Sequence, residues 1–340
     1  MQISYAQQLE DYHLDLVFAD RKKGFYIDVG GGHPVADNVS FWFYLKGWSG
    51  LVVEPQRALA DMYAFVRPRD ITVCSLVGGR QGEVDFHVVD RLHGFSTTVE
   101  DHAKAASGFG ATYETRRMPM LTLASLIAQH QVSEIDFLKI DVEGAEADVL
   151  AGTDWSRARP RVVVVEAVAP GSMAETWRDW EPFLLTRGYT FAFFDGLNRF
   201  YVATEASDLL HRFPSEPASW NRVQHLWDFG RAAAKPNHPD HALASQLIAG
   251  FLATLPSLDH QLLAELLCRG RASGKPSAKE TVGDVARLLL GTAEFPGETP
   301  PLNVDADLAQ VLAVLMKSDR FRAALGRIAS AYDGGHLMED

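Results

Sequence analysis

Short β-rich runs alternate with helix-like segments from Phe25 to about Ala203, and this alternation constrains the fold more than any other feature. Such a pattern predicts a mostly parallel sheet covered by helices. The run VVVVE at Val162–Glu166 is apolar up to its last residue, as expected of a central strand with both faces buried. The predicted strands are Phe25–Val29, Gly50–Glu54, Ile71–Ser75, Ile135–Ile140, Val162–Glu166, Tyr189–Phe194 and Arg199–Ala203.

The last two predicted strands are separated only by Asp195–Asn198. So short a connection predicts a hairpin, and therefore an antiparallel pair. An antiparallel final strand is typical of the class I methyltransferase sheet and is absent from a plain dinucleotide-binding fold. We therefore expect an α/β, Rossmann-like fold with a seven-stranded, mostly parallel sheet and an antiparallel last strand.

The character of the chain changes after about Pro217. Residues 1–217 are predicted to form the sheet-bearing domain, and residues 218–240, which contain tryptophans and prolines, a docking segment and linker. Beyond them, leucines recur with the spacing of amphipathic helices, which predicts a small all-α domain over 241–333. Its role stays open, and residues 334–340 are predicted to be a frayed tail.

The acidic balance narrows the classes of partner. The chain has 340 residues with 44 acidic and 32 basic side chains, for a formal charge of −12. Nucleic acids and anionic membranes attract basic surfaces, so neither is expected as a partner. Cys74 and Cys268 have no disulfide or zinc-site spacing. Without a signal-like or membrane-spanning segment, the expectation is a soluble cytoplasmic protein with no membrane insertion.

A glycine-rich turn follows the first predicted strand, in the run FYIDVGGGHP at Phe25–Pro34. Glycine lets the backbone approach a ligand closely, and a following helix N-terminus favours negative charge. The dinucleotide fingerprint G-x-G-x-x-G is incomplete, because Val35 stands where its last glycine would be. Asp28, placed before the glycines, instead suits a cationic ligand. The alternative is a plain strand-to-helix turn without a ligand.

Polar groups also follow the second and third predicted strands. Glu54 ends the second strand, where a carboxylate can accept both ribose hydroxyls of a nucleoside. The alternative is that Glu54 caps the next helix, with Pro55 in its first turn. Ser75 ends the third strand, where an adenine contact is expected.

The segment Glu134–Gly152 runs a buried strand directly into two carboxylates, Asp141 and Glu143. A carboxylate at this position could orient an acceptor hydroxyl or take its proton. The spacing leaves equally open that these acids cap the following helix. The predicted cofactor-binding residues are Asp28, Gly30, Gly31, Gly32, Glu54, Pro55, Ser75 and Asp141.

The order of these motifs resembles the FkbM family of S-adenosylmethionine-dependent methyltransferases over roughly residues 24–204. The motifs that carry the resemblance are IDVGGGHP, WSGLVVEP, TLASL, FLKIDVEGAEADVLAG and VVVVEA. Three later segments, Trp180–Leu185, Gly188–Phe191 and Phe194–Tyr201, resemble a bacterial subgroup often encoded with glycosyltransferases and surface-polysaccharide genes. At the turn the family usually reads IDVGAN, whereas this chain has Gly31-Gly32 in place of Ala-Asn.

The resemblance implies S-adenosylmethionine as the cofactor and methyl transfer to a hydroxyl of a sugar or of a polyketide-derived molecule. The residues of this chain that match the family's cofactor positions are Asp28, Gly30, Gly32 and Glu54. Asp141 and Glu143 match its hallmark acids. The expected partner is therefore a sugar, a glycan or another hydroxylated small molecule.

A sugar hydroxyl is a weak nucleophile, so a general base is expected. The predicted catalytic residues are Asp141 and Glu143, followed by His33 beside the glycine turn. Alternatively, Asp141, Glu143 and Glu166 could bind Mg²⁺, for which oxygen ligands are suited, although the spacing does not require a metal.

Two other stretches are predicted to bind the acceptor. His93 and Ser96 lie in a long loop after a strand at Val84–Val89, and Asn198 and Arg199 lie at the final hairpin. The alternatives are a disordered loop and a turn formed for backbone reasons alone.

Two functions other than methyl transfer are also compatible with these residues. One is a non-catalytic nucleoside-binding or scaffold protein in a glycan-assembly complex, and another is an NAD-dependent oxidoreductase. The predicted helical domain could serve a homodimer or a glycosyltransferase partner.

Overall fold

We describe the chain from a computed structural model, which places residues 3–89, 93–105, 110–169, 174–230 and 232–254. The chain divides into two compact units, the first ending at Asp228 and the second beginning at Phe229. Most of the predicted helical domain, the predicted tail and Cys268 lie outside the described residues.

The strands in the described part are, in chain order, β1 Ile3–Ser4, β2 Phe25–Val29, β3 Ser49–Val53, β4 Ile71–Val73, β5 Leu76–Val77, β6 Gly82–Val89, β7 Tyr113–Leu121, β8 Phe137–Ile140, β9 Val162–Glu166, β10 Tyr189–Phe194, β11 Asn198–Ala203 and β12 Gln224–His225. The α-helices described are α1 Glu10–Val17, α2 Phe41–Leu45, α3 Arg57–Val66, α4 Glu100–Ala105, α5 Leu123–Gln129, α6 Glu146–Ala151, α7 Glu181–Leu185, α8 Leu226–Phe229 and α9 His241–Thr254.

The main sheet of the first unit has seven strands within the described ranges, in the order β10-β11-β9-β8-β2-β3-β4. The pairs from β9 through β8, β2 and β3 to β4 are parallel. Strand β11 is antiparallel to both of its neighbours, β9 and β10. The mostly parallel sheet with an antiparallel last strand is therefore confirmed, and the boundaries differ from the predicted ones by at most two residues.

The core of this unit lies on the main sheet. Val162 to Val165 of β9 are fully buried, which explains a strand that is apolar on both faces. Helical side chains join the same cluster, among them Leu14, Phe43 and Leu126. The α5 helix begins where the TLASL motif places it, because the Thr122 hydroxyl accepts a hydrogen bond from the Ser125 backbone N–H at 3.1 Å.

A small sheet with the order β5-β7-β6 stands beside the main one. Strand β7 was not predicted, because YETRRMPML is mostly exposed and shows no apolar alternation. It pairs antiparallel with the whole of β6, from Tyr113 opposite Val89 to Met120 opposite Gly82.

Two connections also differ from expectation. The helix expected directly after the glycine turn begins only at Phe41, because residues 33–40 form turns before α2. Strand β12 pairs with β1, which places residues 218–228 of the predicted linker in the first unit. In the second unit, the described part of the predicted helical domain is α9. Among the described helices, none is long and apolar enough to cross a membrane.

Candidate active site

A cavity of about 330 Å³ opens at the carboxyl ends of β2, β3 and β8, which are neighbours in the main sheet. Ligands of open α/β sheets bind at this edge, and the volume lies at the low end of the range of small-molecule sites. The lining residues are Gln7, Val29, Gly30, Gly31, Gly32, His33, Ala36, Asp37, Val53, Glu54, Pro55, Gln56, Ser75, Leu76, Val77, Phe86, Gly94, Phe95, Ser96, Thr98, Lys139, Asp141, Val142, Glu143 and Ala145.

The glycine turn forms the floor of this cavity, between Glu54 on one side and Asp141 and Glu143 on the other. Gly30 has a φ of +77°, and a Cβ there would stand 1.7 Å from the Asp141 carbonyl oxygen. The Gly30 and Gly31 N–H groups both donate to the Val53 carbonyl, at 2.9 and 3.2 Å. The turn is thus fixed to the ends of β3 and β8, and no side chain fits at position 30.

Side chains behind the turn hold Gly31. Its carbonyl accepts hydrogen bonds from the Asn38 amide at 2.8 Å and from the Tyr63 hydroxyl at 2.7 Å. The fully buried Arg67 guanidinium donates to the Asn38 side-chain oxygen at 2.9 Å and pairs with Asp70 at 2.7 Å. This network supports the turn from behind.

Glu54 lies in the cavity wall beyond β3. One carboxylate oxygen accepts the Gly32 N–H at 2.8 Å, and the other accepts the Gln56 N–H at 2.7 Å. Glu54 is 2% exposed, and burial raises the pKa of its carboxyl to about 7 despite these two donors. The carboxylate of Glu54 thus accepts the N–H of the residue before α3, which is one of its two predicted roles. A carboxylate offers about four lone-pair sites, so Glu54 can still accept further hydrogen bonds from the cavity.

Pro55 and Ser75 also line the cavity, as the prediction that they contact a nucleoside requires. Ser75 is 2% exposed, and its hydroxyl oxygen has no hydrogen-bond partner among the described residues. A buried hydroxyl without a partner is uncommon, and a ligand that bonds to it would remove that cost.

Asp28 does not line the cavity, so the predicted direct cofactor contact is not seen. Its side chain leaves β2 toward Ser40, whose hydroxyl donates to it at 2.5 Å. Burial raises the pKa of this carboxyl, and the charge of the nearby Lys139 offsets part of that rise. Asp28 therefore supports the strand and its turn from behind.

His33 lines the cavity and is largely buried. Its Nδ1 accepts the backbone N–H groups of Val35 and Ala36 at 3.1 and 3.0 Å. The neutral ring that accepts at Nδ1 carries its proton on Nε2. In this tautomer His33 ends the glycine turn and is a donor at Nε2, which disfavours the predicted role as a base.

The opposite wall, beyond β8, is acidic. Asp141 and Glu143 both line the cavity, as predicted. Lys139, a lysine within the buried strand β8, donates to the Asp141 carboxylate at 2.6 Å. Burial alone would lower the pKa of Lys139, but the carboxylates of Asp141 and Asp28 outweigh it and raise that pKa above its usual value.

Glu143 differs from Asp141 in its partners. It has a φ of +57°, and its Oε2 is buried without a hydrogen-bond partner among the described residues. Burial, followed by the negative charges of Asp141 and Glu146, holds the pKa of the Glu143 carboxyl well above its usual range. Glu146 instead holds the turn before α6, because it accepts the backbone N–H of Gly144 at 3.0 Å.

Glu166, at the end of β9, is brought to the same place. One carboxylate oxygen from each of Asp141, Glu143 and Glu166 lies within 4.8 Å of the others. The structure thus assembles the three acids that the sequence offers as an alternative Mg²⁺ site.

The predicted acceptor loop closes one side of the cavity. Gly94, Phe95, Ser96 and Thr98 line it, and the Ser96 hydroxyl accepts the Val89 N–H at 3.0 Å. The loop is fixed to the acidic wall because the Thr97 hydroxyl donates to the Glu143 carbonyl at 2.7 Å. His93 opens this segment, but its side chain lies outside the described part of the chain.

Asn198 and Arg199 are not brought to the cavity. Asn198 donates to Glu10 at 2.8 Å, and Arg199 donates to Glu181 at 2.7 Å. They lie on β11, which is separated from β8 by β9, so these side chains support the edge of the sheet. The prediction that they bind the acceptor at this site is not supported.

Sequence reasoning missed Lys139 as a site residue, although a lysine inside the otherwise apolar run FLKI is a visible signal. It also missed Gln7, Phe86 and Phe95, which line the cavity. Gln7 and Phe86 lie far from every motif in sequence, and only the fold brings them to it.

The strand order, the antiparallel β11 and the glycine turn at the end of β2 are consistent with the fold of a methyltransferase. Residues 28–191 match the Methyltransferase FkbM domain. Residues 28–191 are therefore an FkbM methyltransferase domain, as the sequence motifs predicted. It matches no curated protein and no solved structure.

Proposed function

We propose that this methyltransferase uses S-adenosylmethionine and methylates a hydroxyl oxygen on a sugar or glycan. The observation that carries the proposal is the pairing of Glu54 and the Asp141–Glu143 wall across one cavity, with the glycine turn between them. Glu54 follows β3 and Asp141 follows β8, the two strands that flank β2. One side is thus suited to a nucleoside and the other to the reacting atoms.

Three features of the described residues fit the cofactor. An added Cβ on Gly32 would have no atom within 4 Å, so the turn leaves open space for a ligand. The Glu54 carboxylate retains lone pairs for ribose hydroxyls. The Ser75 hydroxyl lacks a partner among the described residues and is suited to an adenine nitrogen. The cofactor supplies an electrophilic methyl group when it is bound.

The acidic wall supports a hydroxyl acceptor. Carboxylates accept hydrogen bonds from hydroxyl groups, and they repel anionic acceptors. Glu143 is the better proton acceptor, because its buried Oε2 has no partner in the described part of the chain and its pKa is raised, whereas Asp141 is already paired with Lys139. Proton removal by a positioned carboxylate contributes roughly 10²–10⁴-fold in rate. The loop at residues 94–98 covers the acceptor side.

The test is calorimetric titration with S-adenosylhomocysteine of the wild-type chain, Glu54→Gln and Glu205→Gln. Glu205 is a surface residue paired with Arg159, so it controls for the loss of one carboxylate elsewhere. We expect Glu54→Gln to bind more than about tenfold more weakly, or about 1.4 kcal/mol, and Glu205→Gln to bind as the wild type does.

Methyl transfer is then assayed with neutral sugars and glycans. Glu143→Gln should keep cofactor affinity while its turnover falls. Cofactor binding without transfer to any hydroxyl would instead favour a scaffold role, and binding of NADH in place of S-adenosylhomocysteine would overturn the proposal. Two further parts of the proposal rest on the sequence alone. One is a place in surface polysaccharide biosynthesis, and the other is the binding of a second copy of the chain or of a glycosyltransferase through residues 241–333.

A further inference from the structure

The carboxylates of Asp141, Glu143 and Glu166 form a cluster of three acids at the ends of β8 and β9. Their oxygens lie within 4.8 Å of one another, although they come from two different segments of the chain. Like charges at such distances repel unless a cation or protons compensate them.

The basic side chain beside the cluster compensates only part of the negative charge of the three carboxylates. Lys139 is the buried cation beside the cluster, and its ammonium is used by Asp141 at 2.6 Å. When all three carboxylates are ionised, this one positive charge leaves two negative charges, the charge that one divalent cation would balance.

The unsatisfied oxygens point to the same conclusion independently of the charge. Glu166 is only 7% exposed, and among the described residues no hydrogen-bond donor or ion-pair partner reaches its carboxylate. Glu143 Oε2 is fully buried and likewise has no partner in the described ranges. Buried carboxylate oxygens normally have donors or a metal ion.

The spacing suits a hard cation. Two ligands on opposite sides of Ca²⁺ lie about 4.6–5.2 Å apart, and those of Mg²⁺ about 4.0–4.2 Å apart, because the metal–oxygen distances are about 2.3–2.6 Å and 2.0–2.1 Å. The observed limit of 4.8 Å therefore accommodates either ion with small side-chain adjustments.

We propose that Asp141, Glu143 and Glu166 bind one divalent hard cation of the Mg²⁺ or Ca²⁺ class in the wall of the cavity. Asp141 and Glu143 line the cavity, so the open coordination positions face it. Water, or vicinal hydroxyls of an acceptor, would fill them. Glu143 would bind the cation through one carboxylate oxygen, which leaves the other for the acceptor's proton. The acceptor role rests on the proposed function, whereas cation binding does not.

The experiment is a titration of the full chain, freed of metal with a chelator, with Mn²⁺ and no cofactor, followed by the electron paramagnetic resonance signal of free Mn²⁺. We expect one Mn²⁺ per chain, displaced by Mg²⁺ or Ca²⁺. Glu166→Gln should weaken Mn²⁺ binding at least tenfold, and Glu205→Gln should leave it unchanged. Glu166→Gln removes an uncompensated buried charge, so we expect it to fold.

Glu143→Gln, from a different segment, gives a second measurement and should also weaken binding at least tenfold. The proposal is overturned if the wild type binds no Mn²⁺ up to about 1 mM, the weak end of natural hard-cation sites. It is also overturned if Glu166→Gln and Glu205→Gln bind alike, since protons then neutralise the cluster. Cofactor binding is measured separately at Glu54, so either proposal can fail alone.

Discussion

The three consecutive glycines of the turn are constrained in different ways. Gly30 combines a positive φ with backbone contact, because its Cβ would overlap the Asp141 carbonyl. Gly31 has an ordinary φ, but its Cβ would stand 2.6 Å from the Tyr63 hydroxyl. Gly32 has a φ of +57° in open space. At position 32 the family usually has asparagine. Asparagine would fit here without a clash because the space is open, and it also tolerates the left-handed region.

These differences predict that substitutions at the three positions lower the stability of the fold by different amounts. Gly30→Ala should destabilise the fold by about 3 kcal/mol or more, since it adds a clash with backbone to left-handed strain. Gly32→Ala should cost about 1–2 kcal/mol from strain alone, and Gly32→Asn less than Gly32→Ala. Urea unfolding followed by circular dichroism measures the series. Equal losses for Gly30→Ala and Gly32→Ala would contradict the close contact with Asp141.

At the scale of elements, the loop at residues 93–98 matters because it connects the small sheet to the acidic wall. The Thr97 backbone pairs with His87 of β6, and its hydroxyl donates to the Glu143 carbonyl. His102 Nδ1 lies 2.9 Å from the same carbonyl. The small sheet therefore positions the residue that we assign as the proton acceptor.

Thr97→Val keeps the shape of this side chain and removes the hydrogen bond to Glu143. We expect KM for the acceptor to rise several-fold, because the loop and the Glu143 carbonyl are released, while the Kd of S-adenosylhomocysteine stays unchanged. Steady-state kinetics and calorimetry give the two values.

Thr122→Val is the matched control for stability. It removes the N-cap of α5, which is outside the cavity lining, and should cost about 1 kcal/mol without changing KM. A similar KM increase in both variants would mean that lost stability, and not the loop, is responsible.

At the scale of the whole molecule, sequence patterns predicted what local physics specifies. Strands buried on both faces, such as β9, are visible as apolar runs, and the glycine turn and the acids of the KIDVEG segment mark strand ends. Strand β7 was not predicted because it is mostly exposed. The position of Asn198 on β11, beyond β9, follows from the strand order, which no local pattern encodes. The meeting of Glu166 with Glu143 likewise depends on the neighbouring positions of β8 and β9.

The buried carboxyls also determine how the stability of the whole molecule depends on pH. The pKa of Glu54 is raised from 4.5 to about 7, mainly by burial, and that of Asp11 is raised from 3.8 to about 7 for the same reason. A raised folded-state pKa means that the stabilising contribution is fully present below the unfolded pKa and is lost as pH rises through the folded pKa. His13 acts oppositely, because burial lowers its pKa to about 4, so its contribution is lost as pH falls through that value.

Glu54→Gln isolates one of these groups. Since Glu54 is almost fully buried, its shift corresponds to about 3 kcal/mol, at about 1.4 kcal/mol for each unit of pKa. The wild-type free energy of unfolding should therefore fall between pH 5 and pH 8, and the fall should be about 2.5 kcal/mol smaller in Glu54→Gln, because part of the effect lies below pH 5. Glu205→Gln should not change this fall, because hydrogen bonds from Arg159 lower the pKa of Glu205 to about 2, below the range measured. Urea unfolding at four pH values gives the slopes, and parallel curves for the wild type and Glu54→Gln would show that Glu54 is ionised at pH 5 in the folded chain.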